Sequence, residues 1–157
     1  MNVSNIIKQH VDENPDATAI IFEELRITYR EFDRLINRLA GGLVKLGLKR
    51  GEVLSLFLPS IPELIIGYLA ATRAGLIVNV VNAMLREQEV AYILKDCATR
   101  AILVDKKRLS ILEAIRPEVE SLSTVIVIGM SGSDQYDSYE SVLNSGRDQF
   151  EPADLQD

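Results

Sequence analysis

The chain has 157 residues, of which 47% are hydrophobic and 25% charged, and a formal net charge of −6. Length and balance fit one soluble globular domain with a sizeable core, and the negative charge gives no electrostatic case for nucleic acid. The lone histidine, His10, excludes a histidine-based triad or a multi-histidine metal site, and the lone cysteine, Cys97, cannot close an internal disulfide, which fits a reducing cytoplasm.

In chain order, residues 3–13 predict a short amphipathic helix rather than a secretory leader, ending before Asn14-Pro15, with His10 exposed at its polar end. Residues 17–23 and 25–28 predict two short strands that meet at the acidic pair Glu23-Glu24. The next helix opens on Ile27-Thr28-Tyr29-Arg30-Glu31-Phe32. Thr28 is the N-cap, Glu31 its reciprocal partner, and Ile27 with Phe32 form a hydrophobic staple, a start worth on the order of 1 kcal/mol through the cap. Phe32, Leu35, Ile36, Leu39, Leu43 and Leu46 share its inner face, Arg30, Arg34, Arg38 and Lys45 face solvent, and Gly47 stops it. A strand over 53–58 follows.

Residues 58–82 are the most informative stretch. Ser60 and Glu63 have capping-box spacing and Pro62 lies in the first helical turn, where its missing N–H costs nothing. Ile61, Leu64, Ile65, Tyr68, Leu69 and Thr72 then recur as an apolar stripe. Gly75 ends the helix in the left-handed conformation, and 76–81 predicts a strand buried on both faces. No apolar run is long enough to span a membrane, because Pro59, Glu63 and Arg73 bracket the greasiest segment.

A helix over 87–97 follows, with Cys97 as a small apolar filler near its end, then a strand over 100–104. Residues 106–120 predict a helix interrupted near Pro117, with Lys106-Lys107-Arg108 as its solvated start. Residues 124–128 form a strand, 131–139 a loop, and 138–143 a last short helix. The turn Gly129-Met130-Ser131-Gly132 lacks the spacing and the following apolar helix of a dinucleotide fingerprint, so it reads as a surface loop. Strand–helix alternation predicts an α/β fold: a mainly parallel sheet flanked by helices on both faces, as a single subdomain over 1–150 with a tail over 151–157.

The wording of three segments resembles the adenylate-forming enzymes: acyl-CoA synthetases, peptide-synthetase adenylation domains and luciferases. Pro59, Pro62, Glu63, Ala70, Ala74, Gly75 and Asn82 fall on that family's "P-x-x-P-E … A-x-x-(K/R)-A-G-(A/x)-(V/I)-x-x-P-(V/L/I)-N" run. Thr28, Tyr29 and Glu31 fall on its "(L/I)-T-Y-x-E-L" motif, and Glu89-Val90-Ala91-Tyr92-Ile93-Leu94-Lys95-Asp96 is similar to the "E-(I/L)-x-Y-(I/L)-L-x-D" segment of fatty-acyl-CoA ligases. The match covers roughly residues 5–130, and these positions specify the fold rather than touch substrate. Val80 and Ala83 stand where the pattern has prolines, and Arg86-Glu87 replace a hydroxyl cap and its proline. The following helix thereby loses a cap worth about 1 kcal/mol, which leaves the loop before it more mobile than in the resembling enzymes.

The resemblance implies an N-terminal fragment of a medium- or long-chain fatty-acyl-CoA ligase, with ATP, Mg²⁺ and CoA as cofactors of the parent and a carboxylic acid as its substrate. The Ser/Thr/Gly-rich phosphate loop, the later aromatic-Gly-x-Thr-Glu segment, the ribose-binding aspartate and the C-terminal lysine of that family do not occur here, so no catalytic, cofactor or metal residue is assigned and the fragment is expected to be inactive. The ending Glu151-Pro152-Ala153-Asp154-Leu155-Gln156-Asp157 resembles the acidic approach to the phosphate loop. The expected partners are the remainder of the ligase and, through an uncovered apolar face, a second copy of the fragment. The alternative is a stand-alone α/β binding or assembly module with a polar surface; a dinucleotide oxidoreductase is disfavoured by the missing glycine fingerprint.

Overall fold

Alternating side chains on three central strands divide between two apolar cores, and that division fixes the sheet. In the computed structural model, which describes residues 4–151, the strands are β1 (Thr18–Phe22), β2 (Leu25–Thr28), β3 (Val53–Phe57), β4 (Ile77–Val80), β5 (Ala101–Asp105), β6 (Thr124–Ile128) and β7 (Asp137–Ser138). β3 to β7 form a five-stranded sheet in the order β4-β3-β5-β6-β7, parallel at every pairing. β1 and β2 form a separate antiparallel hairpin. The helices are α1 (Ser4–Glu13), α2 (Tyr29–Lys45), α3 (Pro62–Arg73), α4 (Glu87–Asp96), α5 (Leu109–Ile115) and α6 (Tyr139–Ser145).

Leu54, Leu56, Ala101, Leu103 and Ile126 point to the face covered by α2, α3 and α6. Phe57, Ile102, Val104, Val125 and Val127 point to the face covered by α4 and α5. This is the expected parallel sheet with helices on both faces. The tail beyond Glu151 and Val3 lie outside the described residues.

The start of α2 follows its sequence. Thr28 Oγ1 accepts from the Glu31 amide at 3.2 Å, and Glu31 Oε2 accepts from the Thr28 amide at 3.0 Å, closing the capping box. The Thr28 amide and, after it, the Thr28 hydroxyl donate to the Glu31 carboxylate and hold it below its ordinary pKa. Both α2 and α3 end in a Schellman motif with glycine in the left-handed region: Gly47 at φ 87° and Gly75 at φ 78°. Near its end α2 meets α6 almost backbone to backbone, since a Cβ on Gly42 would run into the Val142 carbonyl and one on Gly146 into that of Arg38.

Several expectations are corrected. Ser60 does not cap α3: the N-cap is Ile61, extended at φ −117° and ψ 161°, with no side-chain cap bond. Pro62 is the cause, because the residue before a proline is driven from the helical region, so the helix begins at Pro62 itself. The inward face of α3 is Ile66, Leu69, Ala70 and Arg73, whereas Ile65 and Tyr68 are exposed. Gly67 sets that rotation: its Cα side packs on Leu56 and Leu103, where a Cβ would sit 3.2 and 3.1 Å away. β4 is not buried on both faces; it is an edge strand, with Ile77 56% and Val80 53% exposed. The region 131–139 contains β7, which pairs with β6 at Ile126 and Val127. His10 is half-buried and stacks on Tyr29 with ring centroids 5.0 Å apart. The helix expected over 106–120 is α5 followed by a 3-10 turn, Arg116–Glu118, that holds Pro117.

Candidate functional site

The chain runs from β3 to the edge strand β4 and then crosses back to β5 on the other side of β3. Such a reversal opens a crevice at the carboxyl ends of β3 and β5, the place where open α/β sheets bind ligands. Here that rim is built from Leu58-Pro59-Ser60-Ile61 after β3, residues 82–86 after β4, and Lys106-Lys107-Arg108 after β5.

Arg108 organises the rim. Its guanidinium pairs with Asp105 at 2.6 Å, donates through Nε to the Ala83 carbonyl at 3.0 Å, and lies 5.9 Å above the Phe57 ring. Both members of the ion pair are only 16% exposed, so Arg108 is not the solvated helix start expected from its lysine neighbours, although Lys106 and Lys107 are exposed. Through Ala83 it ties the loop after β4 to the end of β5. That loop is further closed by the Met84 amide, which donates to Asn82 Oδ1 at 2.9 Å, and by the Leu85 amide, which donates to the Asn82 carbonyl. α4 recovers part of its missing cap, since Glu89 Oε2 accepts from the Arg86 amide at 3.1 Å. The loop expected to be loose thus carries four specific ties.

Burial, with the negative charges of Glu63 and Glu140 adding to it, pushes the Tyr139 phenol far above its ordinary pKa and keeps it neutral.

A second polar cluster lies between α2 and α3. Arg73 is 5% exposed and pairs with Asp33 at 2.8 Å and with Asn37 Oδ1 at 2.6 Å. Asn37 in turn donates to Asp33 at 3.1 Å and to the Asp148 carbonyl at 2.8 Å, while Asp148 also pairs with Arg38. With Lys8 and Phe150, the side chains of Asp33, Asn37, Arg73 and Asp148 line a cavity of about 330 Å³ beside residues 148–151. Asp148 is shared by Arg38 and, at 4.0 Å, by Arg34, so ion pairs and the Asn37 bond together tie this segment to α2.

Cys97 is not an apolar filler. Its Sγ lies 3.0 Å from Thr99 Oγ1 and accepts from Asn79 Nδ2 at 3.4 Å. Asn79 also donates to Ser55, and the Ser55 and Thr99 hydroxyls are hydrogen-bonded to each other at 2.7 Å. Ser55 and Thr99 are fully buried, so this network satisfies polar atoms inside the α4 side of the sheet.

The family-motif positions do not converge on one point. Pro59, Pro62 and Glu63 sit where β3 ends, and Asn82 sits where the adjacent β4 ends, so these four share the rim. Gly75 lies at the opposite end, where its carbonyl accepts from Gly51. Thr28, Tyr29 and Glu31 build the junction of the hairpin with α2. The sequence reading passed over Arg73, Asp33 and Asn37. The available signal was a basic residue among alanines in an otherwise apolar helix. Among the described residues no group of three or more His, Cys, Asp or Glu side chains lies close enough to hold a metal ion, and no helix is long and apolar enough to cross a membrane.

Comparison with known proteins agrees with this architecture. Acetyl-coenzyme A synthetase of Salmonella typhimurium is 30% identical over 148 residues, 83% of this chain and 23% of that protein. The 3-hydroxybenzoate/4-hydroxybenzoate–CoA ligase of Thauera aromatica is 32% identical over 114 residues, 73% of this chain and 22% of that protein. The crystal structure of the anthranilate CoA ligase AuaEII in complex with anthranoyl-AMP superposes with a TM-score of 0.92 and 25% identity, over 98% of this chain and 30% of that one. The chain therefore spans less than a quarter of the length of these curated relatives. The profile of the family described as AMP-binding enzyme matches residues 7–156, and this chain belongs to that family.

Proposed function

We propose that these residues form the N-terminal supporting subdomain of an ATP-dependent acid–CoA ligase. In the parent reaction a carboxylate attacks the α-phosphate of ATP, giving an acyl-adenylate and releasing pyrophosphate. The CoA thiol then attacks the acyl carbon and AMP leaves. The observation that supports this reading is the similarity along most of the chain to enzymes named as acetyl-coenzyme A synthetase and hydroxybenzoate–CoA ligase. ATP, Mg²⁺ and CoA are the parent's cofactors, and no step is assigned to a side chain of this subdomain.

The contribution of the described residues is architectural. The sheet and its two helix layers hold the rim at Pro59, Asn82 and Arg108. The Arg73–Asp33–Asn37 cluster anchors the path of 148–151. As the finer reading we take a medium- or long-chain fatty acid as the substrate and the cytoplasm as the compartment. The wording of 89–96 supports the substrate.

The test is acid-dependent pyrophosphate release, measured with ATP and magnesium for the parent protein and for the 157-residue chain. Acetate, octanoate, palmitate and benzoate are compared. Release by the parent but not by the chain is expected, with octanoate or palmitate preferred. Robust release by the chain alone would overturn the supporting role. A parent that adenylates none of the acids would favour a non-catalytic module, and a preference for acetate or benzoate would overturn the fatty-acid reading.

A further inference from the structure

We propose that the open edge of β4 is a pairing surface for a second copy of this chain, joined antiparallel about a two-fold axis at Asn79. The argument begins with the backbone. The Ile77 amide donates to Glu52 and the Val81 amide to Leu56, both on the β3 side. Because a strand turns alternate residues toward the same neighbour, the N–H and C=O groups of Val78 and Val80 point away from β3, at the sheet's outer edge. About an axis through Asn79, Val78 of one copy lies opposite Val80 of the other. Each such pair exchanges two hydrogen bonds, so the four outward groups of each copy are satisfied by the four of its mate.

The two edges of the sheet are treated differently. β7, at the far edge, is two residues long and begins with Asp137, a short and charged edge of the kind that resists pairing. β4 runs Ile77-Val78-Asn79-Val80 with no charge, no proline and no bulge against β3. Val80 offers an N–H at the position that would face the mate, which a proline there would lack.

Apolar surface accompanies the edge. Ile77 and Val80 are about half exposed, and Met84 after the strand is 82% exposed. These three side chains offer only a small apolar area per copy, which places the contact among weak, transient associations rather than stable dimers. Association is therefore expected to be reversible and concentration-dependent. The inference rests on strand geometry and does not depend on the ligase reading.

The experiment is sedimentation of the 157-residue chain across a wide concentration series, paired with amide hydrogen exchange at both ends of the series. We expect reversible dimerisation, with the Val78 and Val80 amides protected only at high concentration. Val80→Pro and Val80→Lys, each first shown by thermal unfolding to be folded, should weaken association at least about tenfold. A chain that stays monomeric throughout overturns the proposal. So does a dimer in which those two amides are unchanged, or one that both folded variants retain at full strength. In a longer parent, protection of the same amides without dimerisation would overturn the second copy as occupant and assign the edge to a strand of the same polypeptide.

Discussion

Replacing Ala98 by glycine should stabilise the protein. α4 ends as α2 and α3 do: the Ala98 amide donates to the Lys95 carbonyl at 3.1 Å and the Thr99 amide to the Leu94 carbonyl at 3.0 Å, completing a Schellman motif. The residue that must turn left-handed is glycine in the other two helices but alanine here, at φ 51°. A Cβ in that conformation costs about 1–2 kcal/mol. Ala98 is exposed, so its methyl offers little burial in return. Glycine removes the strain but loosens the unfolded chain by about 0.4–1 kcal/mol, which leaves a net gain of roughly 0.5–1 kcal/mol. For a domain of this size that raises Tm by about 1–4 °C. Urea and thermal unfolding followed by circular dichroism would read it. Gly47→Ala is the mirror control, because a Cβ there meets nothing within 4 Å and only the conformational cost remains. By the same two terms it should lower stability by roughly 0.5–1 kcal/mol. If Ala98→Gly is neutral or destabilising while Gly47→Ala is tolerated, the assignment of strain to the left-handed residue is wrong.

Further outcomes follow from contacts already described. Arg73→Met removes one partner of a buried pair and should cost roughly 2–4 kcal/mol in urea unfolding, the lower part of the usual range for such a loss because Asp33 keeps 21% of its side chain exposed; Arg73→Lys, which keeps the charge but not the fork, should recover only part. Gly42→Ala should destabilise by about 2 kcal/mol despite the helix propensity it gains, since the Val142 carbonyl occupies the place of the methyl. Gly41→Ala, whose nearest neighbour would be 3.4 Å away, should be far milder in the same assay. The Glu31 carboxyl is held below its ordinary 4.5 by Thr28, so its contribution is present above that pH and fades as pH falls through the lowered folded value. Glu31→Gln, which removes the titrating group while keeping a side chain that can accept from the Thr28 amide, should therefore flatten the acid limb of a stability profile measured between pH 3 and 7, and an unchanged limb would show that the cap does not couple to the carboxylate.

What was legible in the sequence was local. The α2 start could be read because its cap joins residues three apart, and the ends of α2 and α3 because one glycine decides each. β6, over Thr124–Ile128, follows its run of β-branched residues residue for residue. The α3 stripe was misread for a physical reason. That helix is apolar almost all round, so periodicity cannot say which side faces the sheet. The side chosen is the one whose small residue, Gly67, lets the helix approach Leu56 and Leu103. Those residues lie on β3 and β5, outside any window a helical pattern can span.

The same limit explains the polar sites. Arg73 looks like a solvent-facing cation until Asp33 and Asn37, 40 and 36 residues earlier, are brought across from α2. Arg108 looks like part of a basic run until Ala83, 25 residues earlier, arrives beneath it. In both places a charge next to apolar residues was the sequence signal, and the missing fact was the partner. Strand order is non-local in the same sense. Residues 76–81 have the composition of a strand buried on both faces, yet β4 falls at the edge because the chain returns to the far side of β3 for β5. A proline at position 80 would have marked an edge in the sequence itself, since a central strand has no use for a residue without an N–H. Valine removes that mark. The valine that hides the edge from a reader of the sequence is also the residue that leaves the edge able to bind another strand, so one measurement of Val80→Pro bears on both.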